Sequence, residues 1–234
     1  KNIALYILNV HVDDKYYINF ADCSPIAGRA GVREYLFGKA CGLSNLAEFA
    51  ALDYKRNPDK FQPDENNLYY RLQEIFTRRA ILSEDTGAPI FHPPVFYSSV
   101  GLWIARNDSY TAAAKCGDNN DSHNHNDTGS VTLYKNGQPL LVDIGVESYT
   151  GKTFSAQRYE IWTMQSDYHN LPTVNGTMQM NGEEYKASSI VHSFTEDGGK
   201  IAMDIAGAYP AKAHLREYTR CVTLDASGLT LDDS

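Results

Sequence analysis

From Val95 onward the chain consists of short strand-like runs with turn residues between them, and this punctuation constrains the fold more than any other feature of the sequence. Val95–Arg106 and Tyr110–Cys116 are aromatic or small-apolar runs separated by Asn107-Asp108. Ser130–Tyr134 and Leu140–Ile144 flank the segment Lys135–Pro139. Its Asn136-Gly137 pair suits the positive φ angles of a two-residue hairpin turn, so the two runs are expected to pair antiparallel. Further strands are expected near Glu184–Phe194, Lys200–Ala208 and Glu217–Asp225, with turns at Asn175-Gly176, Asn181-Gly182 and Gly198-Gly199. Many short strands joined by turns predict an antiparallel β-sandwich.

The first ninety residues have a different texture. Asn67–Leu82 carries Leu68, Tyr69, Leu72, Ile75, Phe76 and Ala80 at the spacing of an amphipathic helix. Gly31–Cys41 places Val32, Tyr35 and Leu36 on one side and has Gly42 as its stop. Leu43–Tyr54 repeats the pattern through Leu46, Phe49 and Ala50. Three short helices supply little core of their own and read as the end of a larger helical domain. The Gly87–Pro94 stretch is a cluster of chain breakers. The expected organisation is therefore α+β, with a helical segment over 1–90 and a mostly antiparallel β-sandwich over 91–234. The opening Lys1–Leu8 already reads as the inside of an element, as a piece of a longer protein would.

A net charge of −8 argues against a nucleic-acid partner or a polybasic membrane surface. No apolar run is long enough to span a bilayer. The four cysteines, Cys23, Cys41, Cys116 and Cys221, are far apart and without CxxC spacing. They read as buried thiols rather than zinc ligands, with one or two disulfides open if the protein is exported.

The chemistry concentrates in Ser122–Ser130, which holds His123 and His125. Asp143 follows His125 by 18 residues and His169 follows Asp143 by 26. In an extended stretch the two imidazoles, at i and i+2, would point the same way. Neutral imidazoles plus a carboxylate are the ligands zinc takes. His125 precedes one strand of the predicted hairpin and Asp143 ends its partner, so both fall at one end. His169 then returns across a long loop as a third ligand. A solvated polar loop is the alternative for the same residues.

The wording from His123 to Gly145, and again from Tyr168-His169-Asn170 to Gly176, resembles the heparinase II/III-like family of polysaccharide lyases. That family has an H-x-H-x-D-x-G-S segment, a hairpin ending in D-x-G, and a later H-N-(T)-V-x-x-(D/N)-G in this order. The likeness covers roughly residues 95 to 225. Residues 1–86, with Tyr17–Asp22 as the recognisable stretch, look like the closing helices of the family's (α/α) toroid. The resemblance implies zinc held by His125, Asp143 and His169, with a structural role, and His123 as a catalytic histidine. It implies β-elimination on a uronic-acid-containing polysaccharide such as heparin, heparan sulfate or alginate. It also implies an upstream toroid as partner, supplying a catalytic tyrosine with an Asn or His beside it, and a bacterial periplasmic or secreted location.

Arg158 and Tyr159, in the loop before His169, are candidate substrate-binding residues, because a guanidinium grips a carboxylate or sulfate with two parallel hydrogen bonds. Tyr149 and Trp162 are further candidates to line a cleft. His11, His92, His192 and His214 have no partners at suggestive spacing. Two other readings remain open. One is a zinc-stabilised sandwich that only binds carbohydrate, stacking sugars on Trp103 or Trp162. The other is a cupin-like metalloenzyme, disfavoured because Asp127 follows His125 by only two residues.

Overall fold

The computed structural model describes residues 1–56 and 67–234. The chain divides into two compact units, one of Lys1–Lys15 with Ala27–His92 and one of Tyr16–Ile26 with Pro93–Ser234. The short Tyr16–Ile26 segment, read from sequence with the helices, thus groups with the second unit.

The first unit holds α1 (Asn2–Val10), β1 (His11–Asp13), α2 (Val32–Cys41), α3 (Ser44–Arg56) and α4 (Leu68–Ser83). The Glu34 side chain accepts the Gly31 backbone N–H at 2.8 Å where α2 begins. Gly42, in the left-handed conformation at φ 65°, ends it. Asn67 caps α4 by accepting the Tyr69 N–H. Leu8, Tyr35, Leu46, Phe49, Ala50, Tyr54 and Ile81 form the core. Helix α4 occupies the predicted span, but its apolar stripe of Leu68, Tyr69, Leu72, Ile75 and Phe76 is exposed, Phe76 at 81%. Periodicity groups residues on one face of a helix; it does not say what covers that face.

The second unit begins with β2 (Tyr16–Tyr17) and continues from β3 (Val95–Tyr97) to β13 (Gly228–Asp233). One antiparallel sheet runs β3, β4 (Leu102–Arg106), β5 (Tyr110–Lys115), β7 (Val131–Lys135), β8 (Gln138–Leu141). A second is the meander β10 (Ser188–Thr195), β11 (Gly198–Asp204), β12 (Thr219–Asp225), β13. A small pair joins β6 (Asp118–Asn119) to β9 (Gly182–Lys186). Trp103, Ala105, Ala112, Ala114 and Val131 of the first sheet share one core with Ile201, Met203, Val222 and Leu224 of the second. This is the antiparallel sandwich expected. In the β7–β8 hairpin Lys135 pairs with Gln138, leaving Asn136 and Gly137 as a two-residue turn with φ of 49° and 75°.

Two predicted runs divide. Val95–Arg106 folds back on itself at Ser98–Gly101, with Gly101 at φ 56°. Glu184–Phe194 splits into β9 and β10, which belong to different sheets. The strand-like run just before Asp233-Ser234 is β13. All four cysteines are free, and only Cys116 is fully buried, while Cys23 is exposed. The expectation of four buried thiols therefore fails for three of them.

Candidate metal centre and its carboxylate neighbour

Three chain segments converge on one point of the second unit. The loop between β6 and β7 brings His125, the end of β8 leads into Asp143, and a series of 3-10 turns over 152–168 delivers His169. Each of the three offers a ligand atom, and these atoms lie within 4.8 Å of one another. All three are buried, His125 at 0% exposure and Asp143 at 1%. The three residues that the sequence reading grouped do lie together here.

The donor set fits a cation. His169 Nδ1 lies 2.6 Å from Asp143 Oδ2 and His125 Nε2 lies 2.8 Å from Asp22 Oδ1. The other ring nitrogens, His125 Nδ1 and His169 Nε2, are buried without any hydrogen-bond partner. Two orphaned imidazole nitrogens beside a buried carboxylate are costly as they stand and are relieved by a metal of zinc's ligand preference. Asp143 is held in place from both ends: its Oδ1 accepts the Gly145 N–H, and its carbonyl accepts Asn19 Nδ2 at 3.1 Å. Gly145 sits at φ 70°, and a Cβ there would come within 2.9 Å of the Cys23 carbonyl oxygen.

Burial pushes the His125 pKa down, leaving a neutral ring suited to ligation. Burial acts the same way on His169, but the hydrogen bond and charge of Asp143 outweigh it and raise that pKa. Below the cluster, Lys115 Nζ meets Asp127 Oδ1 at 2.5 Å, with both side chains buried.

His123 departs from the extended geometry assumed for its stretch. It takes φ 59° in a turn, so its side chain is 52% exposed while that of His125 is fully buried. A left-handed residue breaks the two-residue alternation, so the two rings do not share a face. They nevertheless meet the same carboxylate. Asp22 Oδ2 lies 2.8 Å from His123 Nδ1 and accepts the Tyr149 hydroxyl at 2.8 Å. Asp22 Oδ1 accepts from Arg158 Nη2 at 2.7 Å alongside His125. Burial alone would raise the Asp22 pKa, but the donors from His123, His125, Tyr149 and Arg158 hold it below the ordinary carboxylate range.

Arg158 also donates Nε to the Asn124 carbonyl and Nη1 to the Thr153 carbonyl. Tyr159 accepts a hydrogen bond from Asn124 Nδ2 and lines a cavity of about 510 Å³ with Arg158, Asn126, Gln165, Asn181 and Lys212. Trp162 is partly exposed and donates to Glu147 Oε1 at 2.6 Å. Trp103 is no sugar platform: it is fully buried and stacks on Phe194 with centroids 6.1 Å apart. In β4 it alternates inward, opposite the small Ala114.

The residue that sequence reasoning missed is Asp22. It lies 101 residues before His123, and its only signal was membership of the recognisable Tyr17–Asp22 stretch. Its segment is fastened at both ends. Tyr17 N–H donates to the Pro25 carbonyl, Tyr134 hydroxyl donates to the Tyr17 carbonyl at 2.7 Å, and Asn19 bridges to Cys23 and Asp143.

The family model described as heparinase II/III-like, C-terminal, matches residues 92–234. Among solved structures, a heparan sulfate lyase HepC mutant from Pedobacter heparinus matches with a TM-score of 0.63 at 15% identity, over 94% of this chain and 29% of that one. A heparinase III gene product with methylated lysines gives 0.63 at 16% identity, over 98% and 30%. This chain therefore spans less than a third of the length of either relative, and at such identities the likeness concerns the fold. No curated protein sequence matches. The family match covers well over half of the chain, and on that footing this protein belongs to the heparinase II/III-like family.

Proposed function

We propose that this chain is part of a polysaccharide lyase that cleaves a uronic-acid-containing polysaccharide, such as heparin, heparan sulfate or alginate, by β-elimination. The observation that carries the reading is an exposed histidine, His123, held by a buried carboxylate next to a buried ligand triad in a chain of this family. The reaction removes the weakly acidic C5 proton of a uronate and protonates the departing O4. An imidazole near neutral pH serves as base or as a neutraliser of the substrate carboxylate. His123 is the group of this chain that would do so. Arg158 and Tyr159 would bind the anionic sugar, since three of the five guanidinium donors are committed and two remain. The acid for O4 would come from an upstream toroid, the partner domain that the family likeness implies.

His125, Asp143 and His169 would hold zinc, which pins the hairpin end to the 3-10 loop. Burial of all three ligands favours this structural role over direct contact with substrate. A periplasmic or secreted location belongs to the same reading; no helix among the described residues is long and apolar enough to cross a membrane.

The second reading is a zinc-stabilised carbohydrate-binding sandwich with Trp162 as its exposed aromatic. Assay of the full-length protein on uronate polymers separates the two: the lyase generates C4–C5 double bonds read by ultraviolet absorbance, and His123→Ala abolishes them. Retained sugar binding without unsaturated product would favour the binding module. Metal analysis of protein purified without a metal-affinity column is expected to give about one zinc per chain, lost in His169→Ala.

A further inference from the structure

We propose that Asp22 is a positioning residue shared by two centres, its carboxylate fixing the metal-ligand face of His125 through Oδ1 and the working tautomer of His123 through Oδ2. The role given to His123 rests on the lyase reading above; the link between the two histidines does not.

The argument is one of hydrogen-bond capacity. A carboxylate offers four lone-pair directions and no proton. Around Asp22 those four are taken by His123 Nδ1, Tyr149 hydroxyl, His125 Nε2 and Arg158 Nη2, all at 2.7 to 2.8 Å. Because the carboxylate only accepts, each of these atoms must carry the hydrogen. His125 therefore has its proton on Nε2, and its orphaned Nδ1 is left with the lone pair a metal takes. This is the outer carboxylate that metal-bound histidines usually have, here fixing tautomer and ring orientation. His123 likewise has its proton on Nδ1, which leaves its lone pair on Nε2, the ring nitrogen outside the network. Tyr149 hydroxyl, 3.2 Å from His123 Nδ1, and the ring stacking of the two residues hold that orientation.

One carboxylate thus sets both rings, and the anchored Tyr16–Ile26 segment sets the carboxylate. An amide at position 22 cannot reproduce this, since it offers one accepting oxygen and one donating nitrogen. With Arg158 and His125 both donating on the Oδ1 side, the amide oxygen belongs there. The amide nitrogen then faces His123 Nδ1 and forces the ring into its other tautomer.

The test begins on the zinc-loaded wild-type chain. Two-bond proton–nitrogen NMR of ¹⁵N-histidine-labelled protein, at a pH where His123 is neutral, reads its tautomer directly. The expected result is a protonated Nδ1 and an unprotonated Nε2. Asp22→Asn is expected to shift His123 to the protonated-Nε2 form. Because a neutral amide oxygen is a weaker acceptor than a carboxylate for the His125 Nε2 proton and leaves the ring a poorer ligand, the variant is also expected to weaken zinc binding, measured by chelator competition, about 10- to 100-fold. In the full-length enzyme kcat should fall about 10²-fold or more with KM within about twofold, as when the carboxylate that fixes a catalytic histidine becomes an amide. A wild-type His123 protonated at Nε2 would overturn the proposal, and so would an Asp22→Asn chain with unaltered zinc affinity. Should the variant not fold, the wild-type spectrum decides alone. Absence of unsaturated product from wild-type full-length enzyme would sink the lyase reading, while the tautomer and zinc measurements would still judge Asp22.

Discussion

Lys115 and Asp127, which follows His125 by two residues, are a buried ion pair, and they carry a stability prediction of their own. Burial lowers the pKa of Lys115, but the charge and hydrogen bond of Asp127 outweigh it, so the net shift is upward. A second carboxylate, Asp121, stands 3.6 Å from the same ammonium, and the Oδ2 of Asp127 has no partner. Removing one member of such a pair leaves an uncompensated charge in the interior, which costs about 3–5 kcal/mol. Lys115→Met should therefore lower unfolding free energy by that order in denaturant melts. Adding Asp127→Leu should restore at least half of the loss. A double variant as unstable as the single one would mean that the damage is one of shape rather than charge. At this scale the sequence was legible where residue type and short spacing carry the chemistry, as for His125, Asp143 and His169. It was not legible for Asp22, whose partners are set by folding across about a hundred residues. Nor did it tell the buried Trp103 from an exposed platform, since what covers each face of β4, where Leu102 to Ala105 are all buried, is decided by distant parts of the chain.

The helices show how one side chain can tie several elements together. Glu84, the residue that ends α4, accepts from Lys39 Nζ of α2 at 2.7 Å and from the Tyr35 hydroxyl at 2.9 Å. Its carbonyl accepts from Lys55 Nζ of α3. Lys39 foremost, and then Tyr35, hold the Glu84 pKa below its ordinary 4.5. A folded pKa below the unfolded one means stabilisation present above pH 4.5 and lost as pH falls through the folded value. Lys39 is half exposed, so the contribution is about 0.5–1 kcal/mol. Glu84→Gln should be less stable than wild type by that amount at neutral pH, and the gap should close below pH 4.5. A pH-independent gap in thermal or denaturant melts would assign the effect to packing. Elements were the most readable level of this chain. The Asn136-Gly137 hairpin, the Gly42 stop and the α2, α3 and α4 spans follow from local turn chemistry and period. The division of Glu184–Phe194 between two sheets does not, because strand propensity is blind to which neighbour a strand will find.

At the scale of the whole molecule, the second unit is discontinuous in sequence. The chain contributes Tyr16–Ile26 to it, leaves for the helices, and returns at Pro93. The family match begins at residue 92, so a cut placed there looks natural and retains His125, Asp143 and His169. The cut also removes the acceptor of four donors and leaves the buried Tyr134 hydroxyl without the Tyr17 carbonyl. An unsatisfied buried group of this kind costs about 1–3 kcal/mol. A 93–234 fragment is therefore expected to bind zinc more weakly than the full chain and to melt at lower temperature. A synthetic peptide of residues 16–26 added in trans should recover part of both. Equal zinc affinity with and without the peptide would mean the fragment is self-sufficient. If the peptide does complement it, the eleven residues behave as a detachable part of the domain. The edge of this domain would then be defined by which atoms share a proton acceptor, and not by a single position along the chain.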